Sequence, residues 1–141
     1  MRLRLRTIMP MLVTLTCVAC ATVPELTPAQ LGAKRLAAIH VASTRLWKIA
    51  APVGQGYGMD ITSVNGKSVC SPARCPSYIT VPAGRADIGL LCSLLVDNLR
   101  LPKQATIYTG DFVAGHVYEI RPVSVVPGCK VEVRDVMSQV Q

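Results

Sequence analysis

The sequence predicts an all-β domain, an antiparallel β-sandwich of six to seven strands, behind an N-terminal signal helix and a short helical or extended tether. From residue 57 onwards, turn-favouring residues recur about every ten positions, as in small sandwiches and barrels. Asn65-Gly66 is a strong β-hairpin signal between two such segments. With 141 residues the chain is long enough for one domain. We therefore divide it into a signal peptide (1–19), a tether (20–35) and a β-sandwich domain (36–141).

The first nineteen residues have the layout of a secretory signal. Residues 1–6 alternate arginine with apolar residues, and residues 7–19 carry no charge. A charged start, a short apolar stretch and small residues at its end are typical of a segment that directs export and is then removed. The apolar stretch is shorter than the roughly 20 residues that a membrane-spanning helix needs.

Val18, Ala19 and Cys20 at the end of this segment resemble the lipobox of bacterial lipoproteins. Cys17 stands where that family usually has leucine, which is a departure. The resemblance implies cleavage before Cys20 and lipidation of its thiol, which would anchor the chain to a membrane. Ala21, in place of the aspartate that favours inner-membrane retention, implies an outer-membrane location facing the periplasm. The alternative is an ordinary secretory signal that ends near Ala21.

The tether and the start of the domain carry weaker signals. Thr27, Pro28 and Gln30 form a capping-box pattern with proline at the first helical position, which predicts a short helix over residues 28–36. Gly32 weakens that helix. Residues 36–49 show a faint alternation and are predicted as a strand, and residues 54–58 as a flexible glycine-rich loop.

The clearest β signal lies in the rest of the chain. Alternating apolar residues and flanking turns predict strands at 59–64, 67–70, 77–81, 86–96, 106–113, 116–126 and 129–136.

Four cysteines remain after the signal is removed, and an exported domain is expected to hold them as disulfides. Cys92 shares a strand face with Leu90 and Leu94, and Cys129 shares one with Val131. Both cysteines should therefore face the core, so we predict a Cys92–Cys129 bridge. A second bridge between Cys70 and Cys75 would then close a short loop. The alternative to two disulfides is a metal site formed by Cys70, Cys75, one distant cysteine and His116. Structural zinc sites usually have two closely spaced pairs of ligands, and only one such pair is present here. We predict no cofactor and no metal.

The charge balance does not indicate a nucleic-acid binder. The net charge of +7 includes Arg2, Arg4 and Arg6 of the signal, so the mature chain keeps about +4. Its basic residues are scattered, and only Lys34 and Arg35 are adjacent, whereas nucleic-acid binders concentrate such charge.

Two further segments carry a resemblance. Residues 81–90, Val-Pro-Ala-Gly-Arg-Ala-Asp-Ile-Gly-Leu, resemble the turn and strand of small extracytoplasmic β-sandwich modules of the PEGA type. Residues 112–118 resemble the tyrosine corner of Greek-key sandwiches, in which Tyr118 would bond back to the preceding backbone. Together with the lipobox, this layout resembles small uncharacterised proteobacterial outer-membrane lipoproteins. The resemblance implies a fold but no activity.

Candidate catalytic residues are sparse. Ser124, His116 and Asp111 contain the residue types of a nucleophile–His–Asp catalytic triad. No sequence motif of a catalytic nucleophile supports this set. Trp47 and Tyr57 flank the glycine-rich loop and would suit a glycan or a protein partner, although a core role is the simpler interpretation.

We therefore predict a non-enzymatic envelope lipoprotein, anchored in the membrane through its lipid, that binds an envelope protein or peptidoglycan. One alternative is a small periplasmic hydrolase-like enzyme that uses His116. Another is a lipoprotein inhibitor of a hydrolase; an inhibitor of cationic lysozymes would tend to be acidic, which the charge of about +4 disfavours.

Overall fold

The computed structural model describes residues 25–42, 55–96, 99–125 and 127–137. The predicted signal helix, Cys20, Trp47 and Lys48 lie outside the described residues. The elements in chain order are α1 (Pro28–Ala33), β1 (Leu36–Val41), β2 (Gln55–Val64), β3 (Lys67–Ser68), β4 (Tyr78–Pro82), β5 (Gly84–Val96), β6 (Leu99–Arg100), β7 (Gln104–Phe112), β8 (Val117–Ser124) and β9 (Lys130–Asp135).

The strands form two sheets, which confirms the predicted all-β, sandwich-like fold. Sheet A has the strand order β4-β1-β8-β9, and sheet B has the order β3-β2-β5-β6 with β7 also paired to β5. The described residues contain nine strands where six to seven were expected, and two of the nine, β3 and β6, are only two residues long. All pairings are antiparallel except that of β1 with β8, which is parallel.

The core lies between the sheets and is built from alternate residues of their strands. Sheet B buries Ile88, Leu90 and Cys92 from β5, as the alternation in the sequence predicts. The other members of the cluster come from both sheets: Ala37, Ile39, Val41, Val81, Tyr118 and Ile120 from sheet A, and Met59, Ile61, Ala86 and Phe112 from sheet B, with Val125 and Cys129 beside the strands.

Helix α1 begins with the predicted capping box. The Gln30 backbone N–H donates to Thr27 Oγ1 at 3.3 Å, and the Thr27 N–H donates to Gln30 Oε1 at 2.9 Å. The helix ends at Ala33, three residues before the predicted end, because Arg35 adopts a left-handed conformation with φ of 54°. Leu31 is fully buried, so the described part of the predicted tether is docked on the domain.

Helix α1 also explains why β1 shows little alternation. Ala37, Ala38 and Ile39 are all buried, although neighbouring side chains of a strand point to opposite faces. Ala37 and Ile39 belong to the core between the sheets, whereas Ala38 and Leu31 are buried outside that cluster. Since α1 contacts β1, the outer face of this strand is covered around Ala38, whereas His40 farther along the same face is partly exposed.

The predicted Asn-Gly hairpin is present between β2 and β3. Asn65 and Gly66 both have positive φ, at 50° and 76°, as the favoured two-residue hairpin turn requires. Asn65 also ties the turn to β5, because its N–H donates to the Asp87 carbonyl at 2.8 Å and its side-chain oxygen accepts from the Asp87 N–H at 2.9 Å. A bulge in β2 between Ile61 and Ser63 adjusts the register with β5.

Both predicted disulfides are present. Cys92 and Cys129 are joined with their Cα atoms 5.9 Å apart, and the bridge connects the centre of sheet B to the start of β9 in sheet A. Cys70 and Cys75 are joined with their Cα atoms 4.1 Å apart. The four sulfurs are thus bonded in two pairs. They are therefore not free to act as the ligands of the alternative metal site.

The tyrosine corner is also present. The Val113 N–H donates to the Tyr118 hydroxyl at 3.0 Å, across the turn that joins β7 to β8. The Tyr118 ring packs edge-on against Phe112, with ring centres 5.1 Å apart. Gly115 in this turn has φ of 84°, and a side chain there would meet the Pro28 carbonyl of α1 at 3.3 Å. Glycine therefore lets the turn and the helix approach closely.

Candidate functional site

The loop closed by Cys70 and Cys75 lies where the two sheets meet. The Pro76 carbonyl accepts a hydrogen bond from Ile61 of sheet B at 3.3 Å, and the Ser77 carbonyl accepts one from Val41 of sheet A at 2.9 Å. Two consecutive residues after the disulfide, Pro76 and Ser77, are thus hydrogen-bonded to different sheets. The position of the loop relative to the core is therefore fixed by main-chain bonds.

The loop itself is held in one conformation. The Ser71 N–H donates to the Arg74 carbonyl at 2.9 Å, the Ser71 hydroxyl donates to the same carbonyl at 2.9 Å, and the Arg74 N–H donates to Ser71 Oγ at 3.2 Å. These bonds occupy the backbone of the loop and the hydroxyl of Ser71. The backbone of Arg74 is fixed by these bonds to Ser71, and its side chain is exposed.

A cavity of about 450 Å³ lies beside this loop and is a candidate binding site. Its charged residues are Arg74 and Glu25, so the rim carries both signs. Tyr78 of β4 also lines it, and its buried hydroxyl has no hydrogen-bond partner among the described residues. The full lining is Glu25, Val69, Ser71, Arg74, Cys75, Pro76, Ser77 and Tyr78.

The chemistry of this cavity suits binding. A guanidinium, a carboxylate and hydroxyl groups recognise a polar ligand that has both hydrogen-bond donors and acceptors. The lining has no histidine and no free thiol, and its cysteine is already oxidised. The sequence analysis predicted the Cys70–Cys75 loop but not the cavity beside it, because Glu25 comes from a segment 45 residues before Cys70.

His116 is paired with a carboxylate that the sequence analysis did not single out. Its Nδ1 lies 2.6 Å from Asp135 Oδ2, and its ring stacks on Tyr118 with ring centres 6.3 Å apart. Asp135 also accepts a hydrogen bond from the Met137 N–H at 3.0 Å, so it fixes the chain after β9. The contact joins the start of β8 to the end of β9 and has a structural explanation.

The set of Ser124, His116 and Asp111 does not assemble. Ser124 is the last residue of β8 and His116 immediately precedes its first. A strand of eight residues separates its ends by about 25 Å, so the Ser124 hydroxyl cannot reach the imidazole. Asp111 lies on β7, opposite Arg85 of β5. The carboxylate at His116 is Asp135.

Tyr57, the described member of the predicted aromatic pair, lies on β2 and packs against the core. Trp47, its predicted companion, lies outside the described residues.

On the outer face of β8 and β9, acidic and basic side chains alternate both along each strand and across the two strands. Glu119 is opposite Arg134, and Arg121 is opposite Glu132, in the ladder between these strands. Within each strand, Arg121 donates to Glu119 and Arg134 donates to Glu132, the latter at 3.0 Å. The hydrogen bond from Arg134 lowers the pKa of Glu132, and the same contact raises the pKa of Arg134. His40 lies 3.7 Å from Glu119 at the margin of this surface.

In comparisons with known proteins, no family model, curated protein or solved structure matches this chain. Within the described ranges, no helix is long and apolar enough to cross a membrane. The resemblance to PEGA-type modules and to outer-membrane lipoproteins stays a prediction.

Proposed function

We propose that this chain is an exported, non-enzymatic lipoprotein of the outer membrane, whose periplasm-facing sandwich domain binds a peptide-bearing envelope component. The observation that carries this proposal is the polar cavity at the Cys70–Cys75 loop, in a domain with two disulfides. Disulfides persist in oxidising compartments outside the cytoplasm, which agrees with a secretory signal.

The cavity suits a ligand with peptide character. Arg74 provides a fork of donors for a carboxylate, and Glu25 accepts from an amine. A segment of an envelope protein and the peptide part of peptidoglycan both present carboxylates, amides and amines.

The proposed anchor determines where this ligand must be. Glu25 is five residues after Cys20, and five extended residues span at most about 18 Å. A lipidated Cys20 would therefore keep the rim of the cavity within that distance of the bilayer surface. The ligand should be one that is available next to the membrane.

The anchor is tested by metabolic labelling with a clickable fatty acid in the native host. Labelling is expected for the wild-type chain and for Cys17→Ser, and it should be lost in Cys20→Ser, because only Cys20 occupies the lipidated position. Cys17→Ser is the matched control, since it removes a neighbouring thiol of the same leader. Labelling that survives Cys20→Ser contradicts the anchor.

The binding site is tested by placing a photoreactive amino acid at Ser77, which lines the cavity, and at Thr80, which is equally exposed but lies outside it. Crosslinking in intact envelopes should give a discrete adduct at Ser77 and none at Thr80. Arg74→Ala should abolish that adduct, whereas Arg85→Ala, an exposed arginine away from the cavity, should leave it unchanged. Equal adducts at both positions would argue against a dedicated site.

A further inference from the structure

Among the described residues, strand β7 forms an open edge of sheet B. It pairs with β5 through nine consecutive residue pairs, and no other strand of the described chain pairs with it. An open strand edge presents unpaired backbone donors and acceptors, and proteins usually protect such edges with charge, proline or short length.

The edges of sheet A have that protection and β7 does not. Strand β4 has five residues and ends in Pro82, and β9 alternates charged residues along its length. Strand β7 has nine residues, QATIYTGDF, of which only Asp111 is charged. Next to its central residue, Ile107 is 72% exposed, the most exposed large apolar side chain in the described chain.

The residues of β7 that face the open edge follow from the hydrogen bonds of β5. The Asp87 N–H and carbonyl both bond to Asn65 at the end of β2, so the backbone groups of Asp87 point away from β7. Because these directions alternate along a strand, Ile88 points toward β7 and bonds with Tyr108, its partner in the register. The odd-numbered residues therefore direct their N–H and carbonyl groups outward: Ala105, Ile107, Thr109 and Asp111.

We propose that this edge pairs with β7 of a second copy of the chain, in an antiparallel two-fold register centred on Ile107. Ile107 then lies opposite Ile107 of the second copy, and Ala105 lies opposite Thr109. Every pair of odd-numbered residues can exchange two hydrogen bonds, and the two five-stranded sheets become one continuous sheet.

Charge complementarity selects both the occupant and the register. With Ile107 at the centre, Lys103, which precedes β7, lies opposite Asp111 of the second copy, and the two-fold axis repeats this pair. A shift of two residues in either direction places Asp111 opposite an uncharged residue. The sequence around the edge is thus complementary to itself in one register.

The contacts of these charges within one copy are compatible with the pairing. Lys103 lies 3.8 Å from Asp60, with both side chains about half exposed, so this is a weak surface pair. Asp111 lies opposite Arg85 of β5, and pairing would place the carboxylate between two cations.

The register is tested by single cysteines in the full chain, expressed with its own leader and oxidised in the membrane. Ile107→Cys should form a disulfide-linked dimer, since directly opposed residues of a hydrogen-bonded pair have Cα atoms about 5.5 Å apart. Ala105→Cys is the matched control. In the proposed register position 105 lies opposite Thr109 of the second copy, so the two substituted positions are four residues apart along the strands and cannot form a disulfide. The unsubstituted chain controls for Cys17 and Cys20. Absence of a dimer from Ile107→Cys, or equal crosslinking of both variants, overturns the proposal.

The charges are tested by reversal, with the self-association of the detergent-solubilised chain measured by sedimentation. Lys103→Glu and Asp111→Lys should each weaken the dimer by about tenfold or more, because each places like charges opposite one another twice. The combined variant should recover the wild-type dissociation constant. A monomeric wild-type chain, or a combined variant no better than the single ones, overturns the proposal.

Discussion

Removing the bridge between the two sheets should destabilise the domain more than removing the bridge of the short loop. The perturbation is Cys92→Ala together with Cys129→Ala, which avoids leaving a single free thiol. Cys92 is fully buried and Cys129 nearly so, and they join β5 to the residue before β9. The matched control is Cys70→Ala with Cys75→Ala, which removes the other disulfide of the described domain.

The expected magnitudes follow from the length of chain that each bridge closes. The sequence separation of 37 residues between Cys92 and Cys129 gives a loss of about 4 kcal/mol in the free energy of unfolding, by the chain-entropy relation. The separation of 5 between Cys70 and Cys75 gives about 2 kcal/mol. For a domain of this size, 1 kcal/mol lowers Tm by roughly 4 °C, so we expect decreases of about 15 °C and about 8 °C.

The assay is thermal unfolding of the purified chain, followed by circular dichroism with and without reductant. Without reductant, the variant lacking Cys92 and Cys129 should melt first, the variant lacking Cys70 and Cys75 second, and the wild-type chain last. Reductant should lower the Tm of the wild-type chain below that of either oxidised variant. If the short-loop variant melts at or below the temperature of the other variant, loop length does not govern these contributions and the reasoning fails.

Three further substitutions test individual contacts. Tyr118→Phe leaves the backbone N–H of the tyrosine corner without its acceptor and should reduce the free energy of unfolding by about 1–3 kcal/mol, measured by urea titration. Gly115→Ala should cost about 1 kcal/mol or more, because the turn has positive φ and touches helix α1; Ala114→Gly in the same turn is the control, expected to change stability by less. Glu132 contributes stability above its ordinary pKa of 4.5, and this contribution is lost as pH falls through its lowered folded-state pKa. Glu132→Gln should therefore flatten the dependence of stability on pH below about 4.5, and an unchanged acid profile would exclude that contribution.

Most strands of sheet B and both disulfides could be predicted because their signals are local. The prediction of a flexible loop over residues 54–58 was wrong, since β2 begins at Gln55, and the short strand β6 was not predicted. Alternating apolar residues place Cys92 on the core face of β5, and the same pattern places Val131 and Cys129 on the core side of β9. The Asn65-Gly66 turn likewise depends only on the conformations that two residues favour. These features need no knowledge of which strands become neighbours.

The features that could not be predicted depend on long-range placement. Strand β1 lacks clear alternation because α1 covers part of its second face, and its parallel pairing with β8 leaves no mark in either segment. The partner of His116 was missed because Asp135 is 19 residues away on another strand. The cavity combines Glu25 with Arg74 and Tyr78, and only folding brings Glu25 to the other two.

The parallel pairing of β1 with β8 has a consequence for the order in which the two sheets can form. The two strands lie about eighty residues apart in the sequence, and β1 sits in the middle of its sheet. Strand β1 cannot complete its hydrogen bonds until β8 has been synthesised, and contacts between such distant segments form slowly. Sheet B can therefore begin to pair earlier in synthesis, through β2 and β5, whereas sheet A closes only after β8 is available.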